Sequence, residues 1–231
     1  MTKMLGGICV AGMTTEPDPV TGLRWIRPIR EHGHVLLGDV TTPTGRVLET
    51  FDVVQLSLLR PRPAPPHAED WIVDFTHARP RVLRRLEGDR RAAFLARHVD
   101  ADPCQVLERH DRSLCLFRPD RIWGSFRLDR YTGRFDANLG FTLGPRRYAG
   151  THAGAGLPVT DLKWRALGRS WLPPGGGGID LDRGDLEARL GVEHLYLAVG
   201  LTRNFRGACW PIVVGVHTVP DYQAEIDYDN L

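Results

Sequence analysis

Lysine is nearly absent from this chain: only Lys3 and Lys163 occur among the 30 basic residues of its 231 positions. The cationic side chains are therefore almost all guanidinium groups, which suit phosphate forks and stacking on bases. A GC-rich genome would also raise the number of arginine codons. The shortage of lysine thus permits an anion-binding function without requiring one.

Long hydrophobic runs are also missing. None approaches the roughly 20 residues that a helix needs to cross a bilayer, and the apolar run at residues 211–216 has the length of a strand. Residues 1–10 lack the basic region, long apolar region and cleavage site of a signal peptide. We therefore expect a cytoplasmic protein with no membrane partner.

Paired cysteines are missing as well. Cys9, Cys104, Cys115 and Cys209 include no pair with CxxC spacing, and Cys9 and Cys209 lie inside apolar runs. A disulfide framework is not expected without export, and a zinc site would need paired ligands. The pattern favours four buried structural thiols.

Catalytic and metal-binding signatures are missing too, with neither GxxxxGK[ST] nor GxSxG present. His32 and His34 lack a third ligand, and the acids of residues 180–187 do not fit a calcium loop. We expect no cofactor, no metal and no enzyme signature. A less favoured alternative is a hydrolase of nucleotides or nucleic acid using His32, His34, Asp161 or His194, although no spacing supports it.

What the sequence does contain is many turn formers and short β-type segments. Gly occurs 25 times and Pro 17 times. Strands are expected at residues 51–58, 105–108, 159–167, 194–201 and 209–219, among others. Turn signals every 8–12 residues are typical of β-barrels or sandwiches. The fold class is therefore mainly β with a few short helices.

The helices are predicted at residues 80–86, 89–99 and 180–190, where apolar periodicity and capping residues occur. The first two divide the chain into two β-rich parts. The predicted organisation is a first unit at 1–79, a helical connector at 80–101, and a second unit at 102–231 with inserted loops and a short helix.

Charge is distributed unevenly despite a formal net charge of +2. Residues 79–134 contain 14 arginines and 8 acidic residues, whereas residues 175–231 contain 4 arginines and 9 acidic residues. The basic middle of the chain could meet an anionic ligand.

Arginines alternate with aromatic residues in two places. Residues 121–135 read RIWGSFRLDRYTGRF, and residues 24–30 read RWIRPIR. Exposed rings and guanidiniums on one face of a hairpin could stack on bases and bind phosphates. The alternative is that the aromatic rings point into the core and the arginines are solvated. The binding candidates in these two segments are Arg24, Trp25, Arg27, Arg30, Trp123, Arg127 and Arg130.

The two ends of the chain resemble a known family. ICVAG, a polar turn, WIRPI and FDVVQLSL at the start, with HLYLAVGLTRNFRGACWPIVVGVHTV at the end, are similar to bacterial dual OB-containing domain proteins. The resemblance implies two OB-like β-barrels in tandem. It adds Arg203 and Phe205 as binding candidates and makes Arg27 and Arg203 the preferred contacts.

The resemblance also implies a binding role, and no catalytic residue carries over from it. We expect a non-catalytic module for single-stranded DNA or RNA, sometimes part of a bacterial conflict or defence system. The alternative is a nucleotide or small-ligand sensor or adaptor, and a protein partner is also open.

Overall fold

The computed structural model describes residues 1–4, 6–150, 155–204 and 206–228. Within these residues the chain forms sixteen short strands, four α-helices and one 3-10 helix. The prediction of a mainly β protein with a few short helices is therefore confirmed. No helix in the described part of the chain is both long and apolar enough to cross a membrane.

The N-terminal part forms three small sheets and carries the 3-10 helix Leu37–Val40. Its strands are β1 (Thr2–Met4), β2 (Gly7–Cys9), β3 (Gly12–Met13), β4 (Trp25–Ile29), β5 (Asp52–Gln55), β6 (Leu58–Pro61), β7 (Asp70–Val73) and β8 (Arg81–Arg85). The sheet orders are β1-β2, β3-β4-β7-β6 and β5-β8. The β4–β7 pair is parallel, and its register places Arg27 opposite Asp70.

The C-terminal part forms two larger sheets with four helices. The helices are α1 (Gly88–Arg97), α2 (Pro103–Arg109), α3 (Leu162–Ser170) and α4 (Arg183–Leu190). The strands are β9 (Leu114–Phe117), β10 (Arg121–Leu128), β11 (Phe135–Leu143), β12 (Arg146–Tyr148), β13 (Leu157–Pro158), β14 (Gly177–Leu181), β15 (His194–Leu201) and β16 (Pro211–Val219). One sheet has the order β12-β11-β10-β14 with β13 beside β11, and the other has the order β16-β15-β9.

The sheet β16-β15-β9 is covered on both faces. Leu197 and Val199 of β15 belong to the large C-terminal core. Tyr196 and Ala198, which alternate with them, pack in a second cluster with Trp25 of β4. Because strands buried on both faces are apolar throughout, this explains the continuous run HLYLAVGL and ties the two parts of the chain together.

Two segments predicted as strands are helices. Residues 105–108 lie in α2, where the Asp102 carboxylate accepts from the backbone N of Gln105 at 2.9 Å and a proline occupies the first turn. Residues 162–167 lie in α3, which is capped by the buried Asp161. In both places the N-cap residue is decisive because it satisfies the open N–H groups of a helix start.

The segment 80–86 was predicted as a helix, and this prediction is wrong. Residues Arg81–Arg85 form β8, which pairs antiparallel with β5 across a bulge. β5 offers these residues a strand partner, and this tertiary pairing overrides their local helical preference. The predicted helical connector at 80–101 is therefore helical only from α1 onward, and the domain boundaries themselves stay a prediction.

The sheets of the described residues all remain open. Each runs from one edge strand to another, so the strand pairings found there close no barrel. The mainly β class holds, while the tandem arrangement of OB-like units is taken up under the proposed function.

Candidate functional site

A wide cleft lies where the N-terminal sheets meet α1 and the sheet β16-β15-β9. Its volume is about 2520 Å³, and it is lined by residues of β2, β4, β5, α1, β15 and β16. Pockets for single small molecules measure roughly 300–1,000 Å³. The cleft therefore has room for an extended ligand.

Among the described residues that line this cleft, the basic side chains other than histidine are all arginines. Six carboxylates line it as well, so the positive charge is partly compensated. The nine lining arginines are Arg24, Arg27, Arg30, Arg62, Arg84, Arg90, Arg97, Arg112 and Arg203.

Most of these guanidiniums have a partner. Arg24 lies 3.7 Å from the carboxylate of Glu16, and Arg30 lies 2.8 Å from that of Asp39. Arg62 donates to the backbone oxygen of Glu31, and Arg112 pairs with Asp100. These contacts hold the side chains in place, and the three ion pairs also reduce the charge offered to a ligand.

Three arginines differ from the rest. Arg84 of β8 and Arg90 and Arg97 of α1 are exposed and make neither an ion pair nor a side-chain hydrogen bond within the described part of the chain. Arg90 and Arg97 are seven residues apart, which places them on one face of the helix. This face lines the cleft, and the three side chains are its unpaired cations.

Aromatic rings meet on the same side of the cleft. Phe51 makes edge contacts with Phe94 of α1 at 6.1 Å and with His217 of β16 at 5.2 Å, measured between ring centroids. Phe94 also stacks on His98 at 4.2 Å. Burial lowers the pKa of His217 to about 3, so this ring is neutral near pH 7. The four half-buried rings form an aromatic surface beside these arginines.

Phe51 holds an unusual backbone conformation at this place. Its φ is 71°, a value that non-glycine residues rarely adopt. The guanidinium of Arg91 lies 4.5 Å from the centre of its ring. Strained residues persist where their surroundings fix them, and they are concentrated at functional sites.

The two preferred contacts, Arg27 and Arg203, meet at Asp70. The Nε of Arg27 donates to Oδ1 of Asp70 at 2.5 Å, and Nη2 of Arg203 lies 3.3 Å from Oδ2. Burial by itself would lower the pKa of Arg27, but the hydrogen bond and charge of Asp70 outweigh it and raise that pKa. The structure thus brings together residues that lie far apart in the sequence.

A buried carboxylate next to Asp70 joins the two parts of the chain. Glu69 is fully buried and accepts from both the backbone N (3.2 Å) and the hydroxyl of Ser113. Burial by itself would raise the pKa of Glu69. The contacts of its carboxylate with His67 and Ser113 lower that pKa by more, so the pKa lies below its usual range. Nδ1 of the buried His67 lies 3.9 Å from Oε1 of Glu69. This tether joins the residue before β7 to the residue before β9.

Trp25 lines the cleft but lies mainly in the core. It is 8 % exposed and packs with Leu95, Leu114 and Leu116. Its ring therefore exposes little surface on which a base could stack. For Trp25 the structure matches the alternative in which the aromatic rings of this segment point into the core.

The second Arg–aromatic segment lies elsewhere. Trp123, Arg127 and Arg130 do not line the cleft that the described residues form. Arg127 is held by Asp180 at 2.6 and 2.7 Å, and Arg130 stacks on Tyr131. The guanidinium of Arg147 lies 4.6 Å from the ring centre of Trp123. Phe205, the remaining candidate, is outside the described residues.

The residues considered for catalysis are not gathered in one place. His32 and His34 line the cleft, while His194 lines a separate small depression. Asp161 caps α3 and accepts from the backbone N of Val216 at 2.7 Å. The described residues contain no group of three or more potential metal ligands.

Sequence reasoning missed the contribution of α1. The helix was treated as a connector with an apolar face, so Arg90 and Arg97 were not considered. Their spacing of seven was a usable signal. Phe51 and His217 could not have been found in the same way, because nothing local in the sequence brings their rings to α1.

Comparison with known proteins gives one match. No curated protein and no solved structure matches the chain. A family model described as the dual OB-containing domain matches residues 1–165. The remaining segment still contributes β15, β16 and Arg203 to the cleft. Since the match covers well over half of the 231 residues, the chain belongs to the dual OB-containing domain family.

Proposed function

We propose that this protein is a non-catalytic module that holds single-stranded nucleic acid in the cleft, between two OB-like units. The observation that carries the proposal is the set of unpaired arginines, Arg84, Arg90 and Arg97, on one wall. Family membership supports it, because OB-folds commonly bind oligonucleotides.

The spacing of the cations suits a strand. At 1.5 Å per residue, Arg90 and Arg97 are about 10 Å apart along the axis of α1. That distance corresponds to about three stacked nucleotides at roughly 3.4 Å each. A single strand running along α1 could therefore place phosphates near both guanidiniums.

The aromatic rings beside these arginines suit the stacking of bases. Phe94 and His98 are half-buried and line the cleft next to Arg97. Stacking of a base on an aromatic ring contributes about 1–3 kcal/mol and depends little on sequence. We therefore expect binding with weak sequence preference.

The expected salt dependence is modest because, in the described part of the cleft, three arginines have no side-chain partner and most of the others face a carboxylate. Each phosphate neutralised on a single strand contributes about −0.7 to the slope of log K against log salt. Three contacts give a slope of about −2. A much steeper slope would require the paired arginines to leave their carboxylates.

The test is fluorescence anisotropy with labelled single-stranded DNA and RNA and a matched duplex, at several salt concentrations. The double variant R90A/R97A should weaken single-strand binding and reduce the slope by about 1.4. The control R118A/R121A removes two exposed arginines outside the cleft and should change little. A third variant, R127A/R130A, tests the hairpin candidates.

Undetectable binding to any single strand at low salt would refute the proposal. So would equal losses in R90A/R97A and R118A/R121A, since these two variants remove the same charge. Loss only in R127A/R130A would move the site to the hairpin.

A second function, as a nucleotide sensor or adaptor, is favoured by the meeting of Arg27 and Arg203 at Asp70. A thermal-shift screen against nucleotides tests it. A flat response across the panel would count against it.

A further inference from the structure

Two guanidiniums from distant parts of the chain share one carboxylate on the cleft wall. Arg27 lies opposite Asp70 in the parallel β4–β7 pair, and Arg203 follows the end of β15. Arg27 contacts Oδ1 of Asp70 at 2.5 Å and Arg203 approaches Oδ2 at 3.3 Å. Asp70 is 1 % exposed, so it orients both groups from behind rather than offering itself to a ligand.

The two guanidiniums keep unused hydrogen-bond donors. The Nη2 atom of Arg27 is buried and has no hydrogen-bond partner in the described part of the chain. Buried polar groups are nearly always satisfied, so an exception needs an explanation. Arg203 has a 61 % exposed side chain and contacts only Asp70 among the described residues, although a guanidinium carries five N–H groups.

The neighbouring groups in the described part of the chain do not take up these donors, of which Nη2 of Arg27 is shielded from solvent. Cys9 lines the cleft nearby, and burial raises the pKa of its thiol, so the thiol is uncharged near neutral pH. Glu69 is engaged by Ser113 and does not line the cleft. Asp70 is thus the carboxylate that contacts both guanidiniums, and each has capacity beyond it.

We propose that Arg27 and Arg203 form a subsite for a phosphate monoester, supplied by the terminal phosphate of a nucleic-acid strand or by a free mononucleotide. The inference rests on the cleft's proposed function and adds to it a preference for phosphorylated ends. A monoester carries about −1.5 to −2 charges at pH 7, against one for a diester. Two guanidiniums with free fork donors favour the more highly charged group.

Arg203 is the group that responds to the ligand. Its contact with Asp70 is longer than that of Arg27, and its side chain is exposed. It can turn toward a phosphate while Asp70 continues to hold Arg27. Removing Arg203 should therefore affect the phosphate and leave the fold intact.

The experiment compares one single-stranded oligonucleotide in three forms: with a 5′-phosphate, with a 3′-phosphate and with hydroxyl groups at both ends. Anisotropy should show about tenfold tighter binding of one phosphorylated form by the wild-type protein, as one charge-assisted contact would give. R203A should abolish this preference, so that the phosphorylated and hydroxyl forms bind it with equal affinity. R118A, which removes an exposed arginine outside the cleft, should keep the preference.

Two further measurements complete the test. D70N removes the competing negative charge and one of the two acceptor oxygens, and should strengthen binding of the phosphorylated form; if D70N does not fold, R203A alone decides. Thermal shift with adenosine monophosphate, on wild type and R203A, tests the free nucleotide as the source.

The outcomes separate the two proposals. Binding of all three forms with equal affinity overturns the subsite and leaves the cleft's function standing. Stabilisation by adenosine monophosphate that depends on Arg203, without oligonucleotide binding, supports the subsite and refutes the single-strand function. A phosphate preference that survives in R203A, or no response to any of these ligands, overturns the subsite.

Discussion

Replacing Glu69 with glutamine should destabilise the protein, because its carboxylate joins the two parts of the chain. Both oxygens accept from Ser113, one from the hydroxyl and one from the backbone N. In E69Q an N–H group replaces one oxygen, so one donor of Ser113 loses its acceptor. A lost hydrogen bond to a charged group together with a buried unsatisfied donor costs about 3 kcal/mol.

The magnitude can be checked by urea denaturation and by thermal unfolding. For a chain of this length, about 3 kcal/mol lowers Tm by roughly 6–12 °C. The control E87Q changes an exposed carboxylate and should stay within about 0.5 kcal/mol of the wild type. The cycle of E69Q, S113A and the double variant should give a coupling of about 0.5–3 kcal/mol.

The effect should also depend on pH. The folded pKa of Glu69 is below its unfolded value of about 4.3. Its ionisation therefore adds stability that is fully present above about pH 4.3 and is lost as the pH falls through the folded pKa. The difference in the free energy of unfolding between the wild type and E69Q should therefore become smaller in acid.

One result would refute this reasoning about Glu69. The desolvation free energy of a buried charge can exceed the stabilisation that its hydrogen bonds and ion pairs provide. If E69Q proves as stable as the wild type at pH 7, or if the gap does not change with pH, the tether does not stabilise the fold.

Two further predictions concern the aromatic surface of the cleft. F51A and F51G both remove the ring, but only F51G removes the Cβ that is strained at φ 71°. Urea unfolding should therefore find F51G more stable than F51A by about 1 kcal/mol, and the reverse order would contradict the strained backbone. The pKa of His217 is about 3 in the folded protein and about 6.5 in the unfolded chain. The contribution of the neutral ring to folding stability is therefore complete above about pH 6.5 and is lost as the pH falls toward 3. The free energy of unfolding of H217Q should fall less than that of the wild type between pH 7.5 and 4.5. Equal losses would show that His217 does not cause the acid sensitivity.

The secondary structure could be predicted where one local signal dominated. The apolar run of β15 and the glycine that ends α4 at Gly191 were identified. Errors arose where two signals competed. At Asp161, alternating apolar residues indicated a strand, while the carboxylate that caps α3 decided for a helix.

The candidate site was predicted only in part. Arg24, Trp25, Arg27, Arg30 and Arg203 all line the cleft, but Trp25 is mainly core. The α1 arginines were missed because the helix was judged by its apolar face. Whether any of these residues binds a ligand stays a prediction.

By itself, the sequence determined the β-rich class, the arginine chemistry of the surface and the resemblance to the family, since composition and local patterns carry this information. Only the tertiary structure decided which arginines are free and which are neutralised. The reason is that ion pairs such as Arg203–Asp70 join residues separated by 133 positions. A guanidinium's availability depends on the carboxylate that the fold places beside it.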